Sequence, residues 1–282
     1  MTGVLGVIGD IAEDVTVHAN APFAPGSDTH CRIERRRGGS AANVAVAAAA
    51  LTSSRFIGCL GDDPAGAMLA GGLTGVDARL QITPDAPSGT IVVIVEQTGE
   101  RHMFPSRGAN SYLTTLDAGW LDGLAWLHAT AYSLVGPGTT PAVVRAALAR
   151  HSQPTSIDVS SRGLIEHFRV DRFAALIDGL APDVVFANAD EGEVLGWDDD
   201  QPSDRVIVIK HGHDPVLVRT PAGAWRFPVS RVEPTDTTGA GDAFAAGALA
   251  HLLERQALPV TEADAAELVR AGHATALRWL AR

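Results

Sequence analysis

Cysteine is nearly absent. Cys31 and Cys59 are the two in 282 residues, too few for a disulfide framework, and an isolated pair in so long a chain fits a reducing compartment and a packing role. Basic charge is also short. With 22 Lys and Arg against 33 Asp and Glu, the net charge of −11 opposes binding to nucleic acid or to an anionic membrane, and Arg32, Arg35, Arg36 and Arg37 form the one basic cluster. Long apolar runs are missing too: stretches such as residues 47–50 fall far below the roughly 20 residues that span a bilayer. The first apolar stretch has no basic segment before it, is interrupted by Gly3, Gly6 and Gly9 and stops at Asp10, so it does not read as an export signal, and a cytoplasmic location is expected. Two nucleotide-binding signatures are lacking as well. No glycine-rich loop ends in Gly-Lys-Ser/Thr, and the first strand's glycines do not have dinucleotide-fingerprint spacing.

What is present suits a single α/β domain over residues 1–282, with 46 % hydrophobic residues to build a core and no repeat or low-complexity linker to divide it. Residues 4–8 predict a buried strand. Pro22, Pro25 and Gly26 break the next segment, which predicts two short strands, and residues 89–96 and 101–104 predict another pair around Gln97-Thr98-Gly99-Glu100. Together these pairs read as a small flap. Gly38-Gly39-Ser40 then feeds a helix over residues 41–51, with Ser40 as its N-cap. From residue 124 to 209 helix-like and strand-like stretches alternate, which predicts a mostly parallel central sheet flanked by helices. Ligands bind at the carboxyl ends of such strands, where Asp10, Asp14, Asp158, Asn188, Glu191 and Lys210 fall.

The strongest local signal is Asp236-Thr237-Thr238-Gly239-Ala240-Gly241-Asp242-Ala243-Phe244, a glycine turn running into a small-residue and apolar helix. Glycines let the backbone approach a ligand, and the helix's first N–H groups carry the positive end of its dipole, so the turn suits phosphate. A carboxylate beside an anion pocket needs another task. As a base, Asp242 can accept the proton of an incoming hydroxyl while the bond to phosphorus forms. In the plainer alternative the glycines only cap a packed helix and Asp242 satisfies its N-terminus.

These nine residues resemble the C-terminal signature of the ribokinase-like, or PfkB, carbohydrate kinases, and Gly38-Gly39-Ser40-Ala41-Ala42-Asn43 resembles that family's other signature. The likeness runs from Val7 to about Ala276. It implies a ribokinase-like α/β fold with a β-sheet lid near residues 15–37 and 88–107, ATP and Mg²⁺ as cofactors, and transfer of the γ-phosphate to a hydroxyl of a sugar or nucleoside-like substrate. By the same likeness Asp242 is the base, and the amides of Gly239, Ala240 and Gly241 hold the transferring phosphate. Asp14 binds substrate hydroxyls, as a carboxylate can accept from two at once. Gly38 and Gly39 border the substrate, and Asn43 either contacts it or serves the helix turn. Asn188, Lys210, Gly212, Thr237 and His273, with Gly239 and Gly241, line the ATP, and Glu191 acts on the metal through water. Arg107 either meets a carboxylate or phosphate of the substrate or faces solvent. His211 and His213 lack a third ligand at a recognisable spacing and receive no metal role, and Pro215 stands where the family commonly has glycine.

Sugar kinases and nucleoside kinases of the family share these signatures, so both acceptor classes stay open, beside a catalytically silent ligand-binding relative and a regulatory protein acting through the lid. Ala12 and Ser40 stand where ribokinases commonly carry Asn and Lys, so ribokinase itself is not implied. The lid edge is expected to pair two subunits, because exposed strand edges are usually covered. In many relatives a closing segment joins the stretch matching residues 236–238 around a monovalent cation. This chain instead ends in a helix-like run to Arg282, so weak potassium activation and modest ATP/GTP discrimination are expected.

Overall fold

In the computed structural model, which describes residues 3–22, 26–98, 100–117, 119–232 and 237–282, strand β1 (Val4–Ile8) lies inside a nine-stranded sheet. The other members are β4 (Ser54–Gly61), β5 (Asp77–Thr83), β8 (Leu124–Thr130), β9 (Thr155–Asp158), β10 (Val184–Asn188), β11 (Val206–His211), β12 (Asp214–Thr220) and β13 (Gly223–Phe227). Their order is β13-β12-β11-β10-β9-β8-β1-β4-β5. All pairs from β11 to β5 are parallel, and β12 and β13 add an antiparallel hairpin at one edge. The inner strands are apolar at nearly every position because helices cover both faces. Leu5, Val7, Phe186 and Val208 share a core with α1 (Ser40–Ala49), α7 (Ala240–Arg255) and α8 (Glu262–Leu280). Ile8, Leu127, Val185 and Ile209 point the other way, onto α3 (Thr140–Arg150) and α5 (Val170–Leu180). Three shorter helices, α2 (Pro64–Gly71), α4 (Arg162–Phe168) and α6 (Ala189–Val194), complete the α-helices among the described residues. None of the helices is long and apolar enough to cross a membrane.

The lid is a separate sheet of β2 (Ala12–Ala19), β3 (Cys31–Gly38), β6 (Gly89–Val95) and β7 (Arg101–Ser106), in the order β3-β2-β6-β7. It begins at Ala12, ahead of the expected start near residue 15. Buried Asn110 explains the early start: its Oδ1 accepts from Ile11 N at 2.9 Å and its Nδ2 donates to Ile11 O at 2.8 Å, so the ladder opens directly after β1. Strands β4, β5, β12 and β13 are not anticipated by the sequence pattern. In β5 charged residues interrupt the apolar ones, as befits the sheet's edge, and Gly58 and Gly61 interrupt β4.

The start of α1 also differs from expectation. Gly39, not Ser40, is the N-cap residue, at φ 92°, and a Cβ there would lie 2.6 Å from the Ile11 Cα. Ser40 is the first helical residue, and its N–H donates to Asp10 Oδ2 at 2.9 Å while Ala41 N–H reaches Oδ1 at 3.3 Å. A carboxylate from the end of β1 therefore caps the helix in place of the neighbouring hydroxyl.

Beneath the cleft, His128 on β8 is fully buried, with Nδ1 2.8 Å from Ser156 Oγ, which also accepts from Trp126 Nε1 at 2.9 Å. Burial pushes His128 from 6.5 down to about 4, so it is neutral in the folded protein. The unfolded chain takes up this proton as pH falls below about 6.5, whereas the folded state resists until about 4. Stability contributed by this group is therefore present above that window and lost through it, by about 2–3 kcal/mol. Asp242 and Glu191 titrate in the opposite sense over the same range, so the informative quantity is a difference. Relative to His128→Gln, wild type is expected to lose that much of its stability advantage between pH 7.5 and 4.5 in urea titrations. A pH-independent difference contradicts the assignment.

Candidate active site

The carboxyl ends of β1, β8, β9, β10 and β11 bring Asp10, Thr130, Asp158, Asn188 and Lys210 to one edge of the sheet. The N-termini of α1 and α7 meet above it. Asp242, in the first turn of α7, accepts from Asn43 Nδ2 at 2.9 Å, and Asn43 Oδ1 accepts from Arg37 Nη1 at 2.9 Å. This chain of guanidinium, amide and carboxylate joins β3, α1 and α7. Desolvation in the cleft pushes Asp242 up to about 7, against the Asn43 hydrogen bond that lowers it. Arg37 is lowered, first by burial, with Asp14 and Asp242 acting the other way.

The glycine turn is built as its residue types require. Gly239 has φ +77°, a left-handed conformation that a side chain disfavours. Ala243 N donates to Gly239 O at 2.9 Å, which starts the helix, and Ala240 N donates to Thr237 O at 3.1 Å. The Ala240 amide, expected with those of Gly239 and Gly241 to face phosphate, is thus engaged within the turn. Lys210 Nζ lies 3.3 Å from where a Cβ of Gly241 would stand, which sets an ammonium beside those amides. Lys210 also pairs with Asp158 Oδ2 at 2.9 Å and lies 5.9 Å from the Phe186 ring centre. Burial alone would lower its pKa, but Asp158, Glu191 and Asp242 together raise it, so it stays charged. Asp236, the first residue of the motif, lies outside the described residues.

Asn188 and Glu191 form a capping box at α6: Asn188 Oδ1 accepts from Glu191 N at 2.9 Å, and Glu191 Oε2 accepts from Asn188 N at 2.8 Å. Asn188 Nδ2 donates to the other Glu191 oxygen at 2.8 Å. Burial, with Asp158 nearby, pushes Glu191 up to about 7. Both carboxylate oxygens are thus engaged within the capping box.

Asp14 on β2 lies against Gly38, where a Cβ would stand 2.1 Å from Asp14 Oδ2, so only glycine allows the carboxylate this position. Arg107 donates to the Tyr132 carbonyl and its guanidinium lies 5.5 Å from that ring's centre, which fixes it at the turn following β8. Gly212, at φ +66°, forms the corner between β11 and β12, and His211 beside it pairs with Asp198 at 2.9 Å. His273 on α8 accepts from Ser230 N at 3.0 Å. The one trio of metal-ligating side chains among the described residues, Glu96, Glu100 and His102, is on the lid.

Four residues of the cleft were not assigned roles from sequence. Asp10 and Asp158 carry a usable signal, being carboxylates at strand ends, and Arg37 is flagged only by its place before Gly38. Trp279, whose indole Nε1 donates to Thr238 O at 3.0 Å, has no local signal at all.

A mostly parallel sheet roofed by a small lid, with a carboxylate in the first turn of a helix entered through a glycine turn, is an arrangement that suits phosphoryl transfer to a hydroxyl. The sequence profile of the pfkB family carbohydrate kinases matches residues 5–277, and the chain belongs to that family. It is 32 % identical over 262 residues to the ATP-dependent ribose-1-phosphate kinase of Halopiger xanaduensis, covering 86 % of this chain and 82 % of that protein. It is also 32 % identical to the aminoimidazole riboside kinase of Salmonella typhimurium, over 75 % of this chain and 72 % of the relative. Among solved structures, adenosine kinase from Sinorhizobium meliloti matches with a TM-score of 0.82 at 21 % identity, over 100 % of this chain and 95 % of that one. Ribokinase from Thermotoga maritima matches with a TM-score of 0.77 at 20 % identity, over 99 % and 93 %. The ribokinase-like fold expected from the sequence is the fold observed, and the chain is an ATP-dependent kinase of the sugar and nucleoside class.

Proposed function

We propose that this kinase phosphorylates a hydroxyl of a pentose whose anomeric carbon is already substituted, as a 1-phosphate or a riboside, with Asp242 as the base. The observation that carries this reading is the Arg37–Asn43–Asp242 link. It sets a guanidinium, suited to an anionic substituent, next to an amide that both donates and accepts and to the carboxylate that takes the proton. The two relatives at 32 % identity, named for ribose 1-phosphate and aminoimidazole riboside, support the same acceptor class.

Asp14, Gly38, Gly39, Asn43 and Arg107 form the acceptor side in this reading. Lys210 and the Gly239–Gly241 turn hold the transferring phosphate, with Asn188, Gly212, Thr237 and His273 along the nucleotide. Asp158 and Glu191 suit Mg²⁺, an ion that keeps most of its waters and takes only one or two carboxylates beside phosphate oxygens. Asp158 would hold it, Glu191 would act through water, and the ion would neutralise charge on the phosphate oxygens. The lid would pair two copies of the chain. Val15, Val17, Ile33, Val92, Ile94 and Phe104 share one lid face by register, and Ile33 and Phe104 are each 56 % exposed. A cytoplasmic site of action supplies ATP and keeps Cys31 and Cys59 reduced.

ADP release measured with ribose 1-phosphate, aminoimidazole riboside, adenosine, ribose and fructose tests the acceptor. The highest kcat/KM is expected for one of the first two. Preference for fructose or free ribose would overturn the acceptor class, and no turnover with any of them would favour the silent relative. Sedimentation velocity reads the dimer, and a monomer at high micromolar concentration would refute it.

A further inference from the structure

We infer that Trp279 is a positioning residue for phosphoryl transfer: its indole holds the glycine turn in shape and leaves that turn no use for an alkali cation. The inference rests on the reading of the Gly239–Gly241 turn as the phosphate pocket.

Three contacts carry it. Trp279 Nε1 donates to Thr238 O at 3.0 Å, the carbonyl that leads directly into the turn. The indole also packs on Gly239, where an added Cβ would meet Nε1 at 2.9 Å and two ring carbons at 3.1 Å. The ring is held in turn by Arg282, whose guanidinium lies 4.6 Å from its centre. The helix that presents the indole is itself seated tightly. A Cβ on Gly247 of α7 would lie 2.4 Å from Thr275 Oγ1, and one on Gly272 of α8 would lie 2.8 Å from the Phe244 ring, so the two helices meet almost backbone to side chain. A group on so fixed an element can hold a loop to within the tolerance that catalysis needs.

The chemistry follows from what a carbonyl oxygen does near an anion pocket. Left unpaired, Thr238 O would repel phosphate and leave the left-handed Gly239 free to relax. A donor on that oxygen removes both faults. In many members of the family noted from sequence an alkali ion has this role, but the described residues of this stretch do not fit one. Of the described residues of that stretch, Thr237 O accepts from Ala240 N and Thr238 O from the indole, so a cation approaching either carbonyl meets a proton already lying against it.

The test uses the full chain with ATP and its best acceptor, with initial rates taken in potassium, sodium and tetramethylammonium chlorides at constant ionic strength. Wild type is expected to give equal rates in all three. Trp279→Phe keeps a ring against Gly239 and removes only the N–H. Losing one neutral hydrogen bond of about 1.4 kcal/mol predicts a roughly tenfold fall in kcat per folded enzyme, with the acceptor KM unchanged. A several-fold stimulation of wild type by potassium alone would overturn the inference, and it needs no variant. So would wild-type kcat in Trp279→Phe, or a loss of rate that only follows the loss of folded protein. Failure of the underlying site reading is seen separately, as normal turnover in Asp242→Asn.

Discussion

Asp242→Asn is expected to lower kcat by about 10²- to 10⁴-fold while leaving the fold and most of the ATP affinity in place. The amide matches the carboxylate in shape and can still accept from Asn43, now 2.9 Å away, but it cannot take the hydroxyl's proton. The melting temperature should hold or rise, because the wild-type carboxyl sits in a cleft whose desolvation opposes its charge. The same desolvation sets the pH dependence. A base must be deprotonated to act, and with its pKa pushed up to about 7 the active fraction falls about tenfold per pH unit below that value. For wild type, kcat/KM should therefore rise with pH and level off above about 7. Near-normal turnover in the purified variant, or a wild-type profile flat from pH 5 to 8, would remove Asp242 from the role of base.

Asp14→Ala is expected to raise the KM for the acceptor roughly ten- to a hundredfold and to leave the KM for ATP unchanged. Losing a hydrogen bond to a charged group costs about 1.5–3 kcal/mol, which corresponds to that range. The placement rests on β2, which carries the carboxylate into the cleft, and on Gly38, which has no Cβ to obstruct it. Gly38→Ala should reproduce much of the defect by displacing the Asp14 carboxylate without removing it. An equal rise in the ATP KM for Asp14→Ala would move this residue to the other side of the transferred phosphate.

How far the site was legible depended on how local each feature is. The run from Thr237 to Phe244 announces a glycine turn entering a helix, because positive φ at Gly239 and orphan amides at a helix start follow from backbone sterics and hydrogen bonding within a few residues. Asn188 and Glu191 form their capping box three residues apart for the same reason. Ser40 shows the limit of such reasoning. It has the residue type of an N-cap, yet Asp10, 30 residues earlier, takes the task because β1 delivers a carboxylate to that spot. The Ala240 amide was expected to face phosphate, and the tightness of the turn gives it to Thr237 instead.

By itself, then, the sequence determined the alternating α/β pattern, the lid's strand pairs and the glycine turn that enters α7. Each is set by steric and hydrogen-bonding preferences that act over a few neighbouring residues. Only the tertiary structure decided that Asn43 meets Asp242 across 199 residues, that Lys210 stands beside Gly241, and that Trp279 closes on Thr238. Those contacts depend on which strands are neighbours in the sheet and how α8 packs on α7. Both are outcomes of burying the whole core, to which no single segment holds the key.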